Sequence, residues 1–323
     1  MYRIIVIGAG QLGSRHLQAL CASESVFKIT VIDPSLDSLN IAKSRAEQIG
    51  CTHSQTTVEY LQDIPERSFD VCIIATSANV RLRVMEAFYA RAKTRYMILE
   101  KVLFQSLADY QTAKQLLKAN HTIAWVNCPR RMNPFYRDIR DRLIANKKEI
   151  KHMRVSGQNW GMACNSIHFV DLFAYLTGNS AINIKRSLLE PRLVESKRAG
   201  FVECYGELQL ENGFGGLLEV ACTESDEPLK IVVELYGEGF HCTVDEIGRE
   251  CKKYAGLGAD VSKFEQPPQS QLSGINVNQI LQGGECWLTP YDESVSIHLP
   301  IIQVFLEHIN TLRGEDSELC PIT

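Results

Sequence analysis

No two cysteines of this chain form a C-x-x-C pair, and the eleven present are scattered and odd in number. That spacing argues against both a zinc site and a disulfide framework, and it fits reduced thiols in a cytoplasm. An excess of one charge is missing too: 34 basic against 38 acidic side chains leave a formal net charge of −4, which offers no general attraction for nucleic acid or a membrane surface. No apolar run approaches the roughly 18–20 residues of a membrane span. The first such run, IIVIGAG, is broken by glycine and lacks a cleavage-site pattern, so it does not read as a signal peptide. Repeats and low-complexity tracts are also wanting. These absences leave a globular protein acting on a small soluble ligand, and 323 residues suggest two domains rather than one core.

The chain opens with a β-branched strand running straight into Gly8-Ala9-Gly10-Gln11-Leu12-Gly13 and then a helical pattern. A G-x-G-x-x-G is informative only in this context, after a strand and at the opening of a helix. Gly8 would permit the tight turn, Gly10 the close approach of backbone to a pyrophosphate, and Gly13 close packing of helix on strand. The next strand, FKITVID, ends in Asp33, twenty residues after Gly13. A carboxylate there accepts hydrogen bonds from an adenine-ribose diol and repels a 2′-phosphate, so NAD is expected over NADP. Two further apolar strands, FDVCIIATSANV and RYMILEKVLF, alternate with helical stretches at 38–49, 80–92 and 106–119, the pattern of a parallel sheet covered on both faces. Ligands in such sheets bind beyond the carboxyl ends of the strands. Ala75, Thr76 and Ser77, with Asn79, fall there, as do Glu100, Lys101 and, after the short strand TIAWVN, Asn127. All are candidate cofactor contacts.

Beyond residue 122 the alternation stops, which places a dinucleotide-binding domain at 1–122 and a second domain at 123–323. Strands now follow one another: IKHMRVSGQNW, a hairpin through Asn212-Gly213, and another through Gly237-Glu238-Gly239. An open antiparallel meander is expected. Residues 254–284, rich in Gly, Pro, Gln and Ser, read as one long irregular segment. Arg130 and Arg131 precede a helix whose own charges are interleaved, and they are the likelier ligand contacts of that basic stretch. One helix stands out in GMACNSIHFVDLFAYLTG, with Ser166 as N-cap and Gly178 after its last turn. Its polar residues His168, Asp171 and Tyr175 fall on one stripe. That stripe faces either an internal partner or a cleft.

With these pieces together the chain resembles the Gfo/Idh/MocA oxidoreductase family over essentially its whole length. Four features carry the resemblance: the glycine turn with Asp33; ATSANV in place of the family's A-T-P-x stretch; LEKV in place of its E-K-P; and RRMNP followed by HFVDLFAYLTG. The fold class implied is α/β, an N-terminal Rossmann domain with a C-terminal α/β domain built on an open, largely antiparallel sheet. The resemblance also implies NAD as cofactor, a sugar-like small-molecule substrate, no metal, and a homo-oligomer, dimer or tetramer. Three positions depart from the pattern. Val102 replaces the proline, Arg81 a common histidine, and Cys164 the aspartate four residues before the helix histidine.

The expected reaction is hydride transfer between a sugar-like alcohol and nicotinamide. Lys101 would polarise the substrate oxygen and His168 exchange the hydroxyl proton, with Asp171 or a backbone group holding its tautomer. Arg131, Trp160 and Asn165 complete the candidate substrate wall with Lys101 and His168; Trp160 could equally be a core residue. Redox-assisted glycoside hydrolysis or epimerisation with tightly held NAD, and a non-catalytic NAD-binding sensor, use the same cradle. A Cys164–His168 thiol and base is a further alternative, without an obvious oxyanion site.

Overall fold

The computed structural model describes residues 1–256 and 264–323, apart from the side chains of residues 252–254, and the chain divides into two compact units. Unit one comprises Met1–Phe104, Ala108–Pro129 and Pro267–Tyr291. Its strands are β1 (Tyr2–Ile7), β2 (Phe27–Ile32), β3 (Thr57–Leu61), β4 (Ser68–Ile74), β5 (Lys93–Glu100) and β6 (Ile123–Asn127). Helices α1 (Gln11–Cys21), α2 (Leu36–Ile49), α3 (Ala78–Arg91) and α4 (Leu107–Ala119) alternate with them. The sheet order β6-β5-β4-β1-β2-β3 is parallel throughout, and its central residues, such as Ile4–Ile5, Val71–Ile74 and Met97, are entirely buried. That burial on both faces is why these strands read as unbroken apolar runs.

Two expectations need correcting here. The division at 122/123 cuts ahead of β6, yet β6 pairs with β5 in the first sheet. The stretch 254–284 is not irregular throughout: it holds α7 (Gln269–Gly283), although residues 257–263 of it lie outside the described residues. Helix α7 packs on α1 within unit one, and a Cβ on Gly274 would lie 2.5 Å from the Ala19 carbonyl oxygen. Its polar composition hid it, because a helix seated on another helix needs only one narrow apolar stripe, here Leu272, Val277 and Ile280.

Unit two comprises Gln105–Leu107, Arg130–Gln266 and Asp292–Thr323. Helices α5 (Pro134–Ala145) and α6 (Met162–Thr177) accompany the strands β7 (Ile150–Gln158), β8 (Ile182–Leu189), β9 (Val194–Glu195), β10 (Val202–Glu203), β11 (Gly206–Asn212), β12 (Leu217–Cys222), β13 (Lys230–Gly237), β14 (Phe240–Asp245) and β15 (Glu250–Ala255). Helix α8 (Tyr291–Arg313) ends the regular structure; before it β16 (Thr289–Pro290) adds antiparallel to β6 in the first sheet. The second sheet is open and largely antiparallel, in the order β15-β14-β13-β7-β12-β11-β8. Both expected hairpins form, β11 with β12 and β13 with β14. They are not joined as a meander: β7 lies between them, antiparallel to β13 and parallel to β12. Alternation along each strand buries Met153, Val155, Leu218, Val220, Val233 and Leu235 on the face that α6 covers.

Candidate functional site

In unit one the glycine turn is shaped by contact. Gly8 adopts φ +97, and a Cβ on it would press to 3.0 Å on the Ala75 carbonyl carbon. A Cβ on Gly13 would lie 1.6 Å from the Gly8 oxygen, so the helix can approach the strand only without one. Gly10 differs: it is exposed, and nothing lies within 4 Å of its would-be Cβ. It caps α1 with no side-chain hydrogen bond, leaving the helix's first amides and the positive end of its dipole open to an anion. Asp33 is half-buried and aligned by two backbone amides, Ala9 N at 2.8 Å and Ser35 N at 2.9 Å, one to each oxygen. Each oxygen keeps acceptor capacity for a hydroxyl. Gln11 takes a hydrogen bond from Arg45 at 2.8 Å, an arginine of α2 that pattern reading passed over. The half-buried Leu12 is in the first turn of α1.

At the strand ends, Ala75, Thr76 and Ser77 follow β4, and the Ser77 hydroxyl donates to the exposed Asn79 at 2.7 Å. Thr76 Oγ1 is buried with no hydrogen-bond partner among the described residues. Lys101 is half-buried and follows β5, and the Lys101–Val102 peptide is cis. Arg81, buried to 1% exposure, donates to the carbonyl oxygens of Thr76, Val102 and Leu103, the last at 2.6 Å. The two chain-specific departures therefore meet: Arg81 holds the backbone around Val102. Glu100 was expected to face the cofactor, but its side chain is buried. Its carboxylate binds His16 Nε2 at 2.8 Å and Asn127 Nδ2 at 2.5 Å. Burial raises its pKa, yet the hydrogen bond and charge of His16, the hydrogen bond from Asn127 and the Arg81 charge outweigh it, holding Glu100 below the usual carboxylate range. Asn127, at the end of β6, keeps a buried Oδ1 with no hydrogen-bond partner among the described residues. An open cradle over Gly10, an aligned carboxylate and two orphaned buried oxygens fit a dinucleotide.

In unit two several expected substrate contacts turn inward. Arg131 is 5% exposed and forms ion pairs with Asp171, at 2.7 and 2.9 Å, and with Glu293 at 3.0 Å. Burial opposes its charge, but Asp171 and Glu293 outweigh that and raise its pKa further. Asp171 gives one carboxylate oxygen to each of two guanidinium nitrogens in that pair. Arg130 likewise pairs with Glu246 at 2.8 Å and lies 4.0 Å over the Phe169 ring. Trp160 is a core residue: its indole N–H reaches Ala221 O at 3.3 Å and its ring meets Phe169 edge-on. On α6 the half-buried residues are Cys164, Asn165, His168, Tyr175 and Thr177; the Asn165 amide donates to Trp160 O at 2.6 Å.

Helix α6 begins earlier than Ser166 as N-cap implied. Its N-cap is Gly161 at φ +71, and Glu203 of β10 accepts from Ala163 N at 2.9 Å. A cap delivered from another strand leaves no local signal, whereas Ser166 is wholly buried inside the helix. Gly178 does end the helix as expected, in the left-handed conformation. Among the described residues no cluster of His, Cys, Asp or Glu is arranged to hold a metal, and no helix is long and apolar enough to cross a membrane.

Comparison with known proteins agrees with this geometry. A curated relative, the 4-carboxy-2-hydroxymuconate-6-semialdehyde dehydrogenase of Sphingobium sp., is 24% identical over 193 residues, 54% of this chain; the match spans 59% of the relative's length. Among solved structures, UDP-N-acetylglucosamine 3-dehydrogenase GnnA from Acidithiobacillus ferrooxidans aligns over 94% of this chain and 96% of its own, with a TM-score of 0.67 at 13% identity. Scyllo-inositol dehydrogenase from Lactobacillus casei, solved with NAD(H) and scyllo-inositol, aligns over 94% and 95% with a TM-score of 0.62 at 13% identity. Residues 2–128 match the family model described as an oxidoreductase family with an NAD-binding Rossmann fold.

Proposed function

We propose that the protein is an NAD-dependent dehydrogenase that oxidises a CH–OH group of a sugar or sugar derivative, or reduces the corresponding ketone. The observation that carries this reading is Lys101: a half-buried lysine directly after β5, followed by Val102 and Leu103, whose carbonyl oxygens Arg81 holds, in the same unit as the dinucleotide cradle. The sugar and inositol dehydrogenases among its structural neighbours support the substrate class. NAD, when bound, supplies the hydride acceptor or donor. Lys101 polarises the substrate oxygen, and His168 exchanges the hydroxyl proton, a role worth typically about 10²–10⁴-fold in rate. Asn165 offers the substrate a hydroxyl contact; Arg131 and Trp160, committed to the interior, do not. A cytoplasmic homo-oligomer belongs to the same reading.

The test is NADH formation across a panel of sugars, cyclitols and nucleotide sugars, with NADH consumption on the matching ketones. Product formed with no net change in NADH would replace this reading with redox-assisted hydrolysis or epimerisation. Binding of NAD with no turnover of any kind would leave a sensor.

A further inference from the structure

Four buried side chains of unit one and the half-buried Gln269 close into a ring of hydrogen bonds. Ser273 Oγ lies 2.6 Å from His16 Nδ1, and His16 Nε2 lies 2.8 Å from Glu100 Oε1. Asn127 Nδ2 is 2.5 Å from the same carboxylate oxygen and 3.1 Å from Gln269 Oε1. Gln269 Nε2, 3.1 Å from Ser273 Oγ, completes the circuit. The ring joins α1, the ends of β5 and β6, and the first turns of α7.

Its direction follows from donor and acceptor chemistry. An ionised carboxylate only accepts, so His16 Nε2 and Asn127 Nδ2 both donate to Glu100. The second amide proton of Asn127 goes to Gln269 Oε1, which turns the Gln269 amide nitrogen toward Ser273. That hydroxyl accepts from Gln269 and shares its other hydrogen bond with His16 Nδ1, in the direction the imidazole's protonation sets. Turning the Asn127 amide over would set its oxygen against two acceptors. Both of its N–H groups are therefore spent inside the ring, and its oxygen is the atom left without a hydrogen-bond partner among the described residues, in a side chain that is 3% exposed.

The placement of that oxygen indicates its ligand. In the sheet order, β6 lies three strands from β1, on the side opposite β2. With strands about 4.8 Å apart, a dinucleotide whose pyrophosphate rests on the β1–α1 turn and whose adenosine diol meets Asp33 must extend its other nucleoside toward β4, β5 and β6. The nicotinamide carboxamide N–H₂ is a pure donor, whereas ribose hydroxyls both donate and accept. We propose that the ring locks Asn127 as an acceptor for the carboxamide N–H of nicotinamide. Gln269 and Ser273, from the C-terminal half of the chain, are then positioning residues of the cofactor site. The proposal rests on the NAD reading above.

Fluorescence titration of the cofactor-free protein tests it with three probes: ADP-ribose, NAD⁺, and 3-acetylpyridine adenine dinucleotide, in which a methyl group replaces the carboxamide NH₂. Wild type should prefer NAD⁺ over the acetylpyridine analogue by roughly 3- to 10-fold, the worth of one hydrogen bond. Gln269→Leu and the milder Ser273→Ala should bring the two affinities to near equality while ADP-ribose binds as before. Equal affinities in wild type, or a preference that both variants retain, overturns the inference. So does a parallel loss of ADP-ribose affinity in both variants, which would make the ring general support for the cradle. Failure of ADP-ribose to bind wild type would overturn the NAD reading itself, and the inference with it.

Discussion

The cradle of unit one is made of residues at or just beyond the ends of parallel strands, and it keeps unused capacity: open space over Gly10, acceptor capacity on Asp33, buried oxygens on Thr76 and Asn127. The polar residues around α6 in unit two come from distant parts of the chain, and most are satisfied by one another, as in Arg131 with Asp171 and Glu293 or Arg130 with Glu246. A charged side chain near a presumed cleft is therefore weak evidence for ligand binding when an opposite charge is within reach. A polar group that the fold positions and leaves unsatisfied is better evidence.

Lys101→Met should break the contrast most severely, cutting turnover by roughly 10²–10⁴-fold while NAD binding stays largely intact, since Gly10 and Asp33 still hold the pyrophosphate and the adenosine diol. Near-normal turnover would remove the lysine from the mechanism. Arg131→Met asks the opposite question in unit two. If the arginine is structural, stability should fall by about 3–5 kcal/mol because Asp171 is left buried without its partner, and the folded fraction should keep its substrate KM. A raised KM at unchanged stability would return Arg131 to the substrate wall.

His168→Asn sharpens the comparison within α6. As a proton carrier, His168 cannot be replaced by a side chain that does not titrate, so turnover should drop roughly 10²-fold with loss of the pH–rate limb near neutrality. Early melting with a wild-type pH profile would make it a core residue. Asp33→Ala should reduce the preference for NAD over NADP by about 10-fold, and unchanged selectivity would remove Asp33 from cofactor choice. The smallest effect is expected at Glu100. Its folded pKa lies below its ordinary value of 4.5, so the stability it contributes is present above that value and lost as pH falls through the lower folded value. The stability gap between wild type and Glu100→Gln should accordingly narrow as pH falls below 4.5, and a constant gap would show that the carboxylate's charge does not matter.

Strands β1, β2, β4, β5 and β6 of the first sheet, the glycine turn and both hairpins were legible because each is a local pattern: an apolar run, a fixed glycine spacing, a turn dipeptide. Helix α7 and the start of α6 were not. Gln269–Gly283 is held by α1, and the α6 N-terminus is capped by Glu203, 40 residues downstream. The surroundings of Trp160 and Arg131 were hidden for the same reason. Their partners Ala221, Asp171 and Glu293 lie far away in sequence, and no local pattern reports whether a polar group already has one.

By itself the sequence determined that the protein has a Rossmann domain with a cradle for a dinucleotide, since the backbone there needs glycine at set positions and a carboxylate at a set distance. Tertiary structure alone decided which polar side chains remain available. It turned Arg131 and Asp171 on each other, held the backbone around Val102 with Arg81, and brought Gln269 and Ser273 back to His16, Glu100 and Asn127. Hydrogen-bond capacity is finite, and only the assembled fold shows how it has been spent.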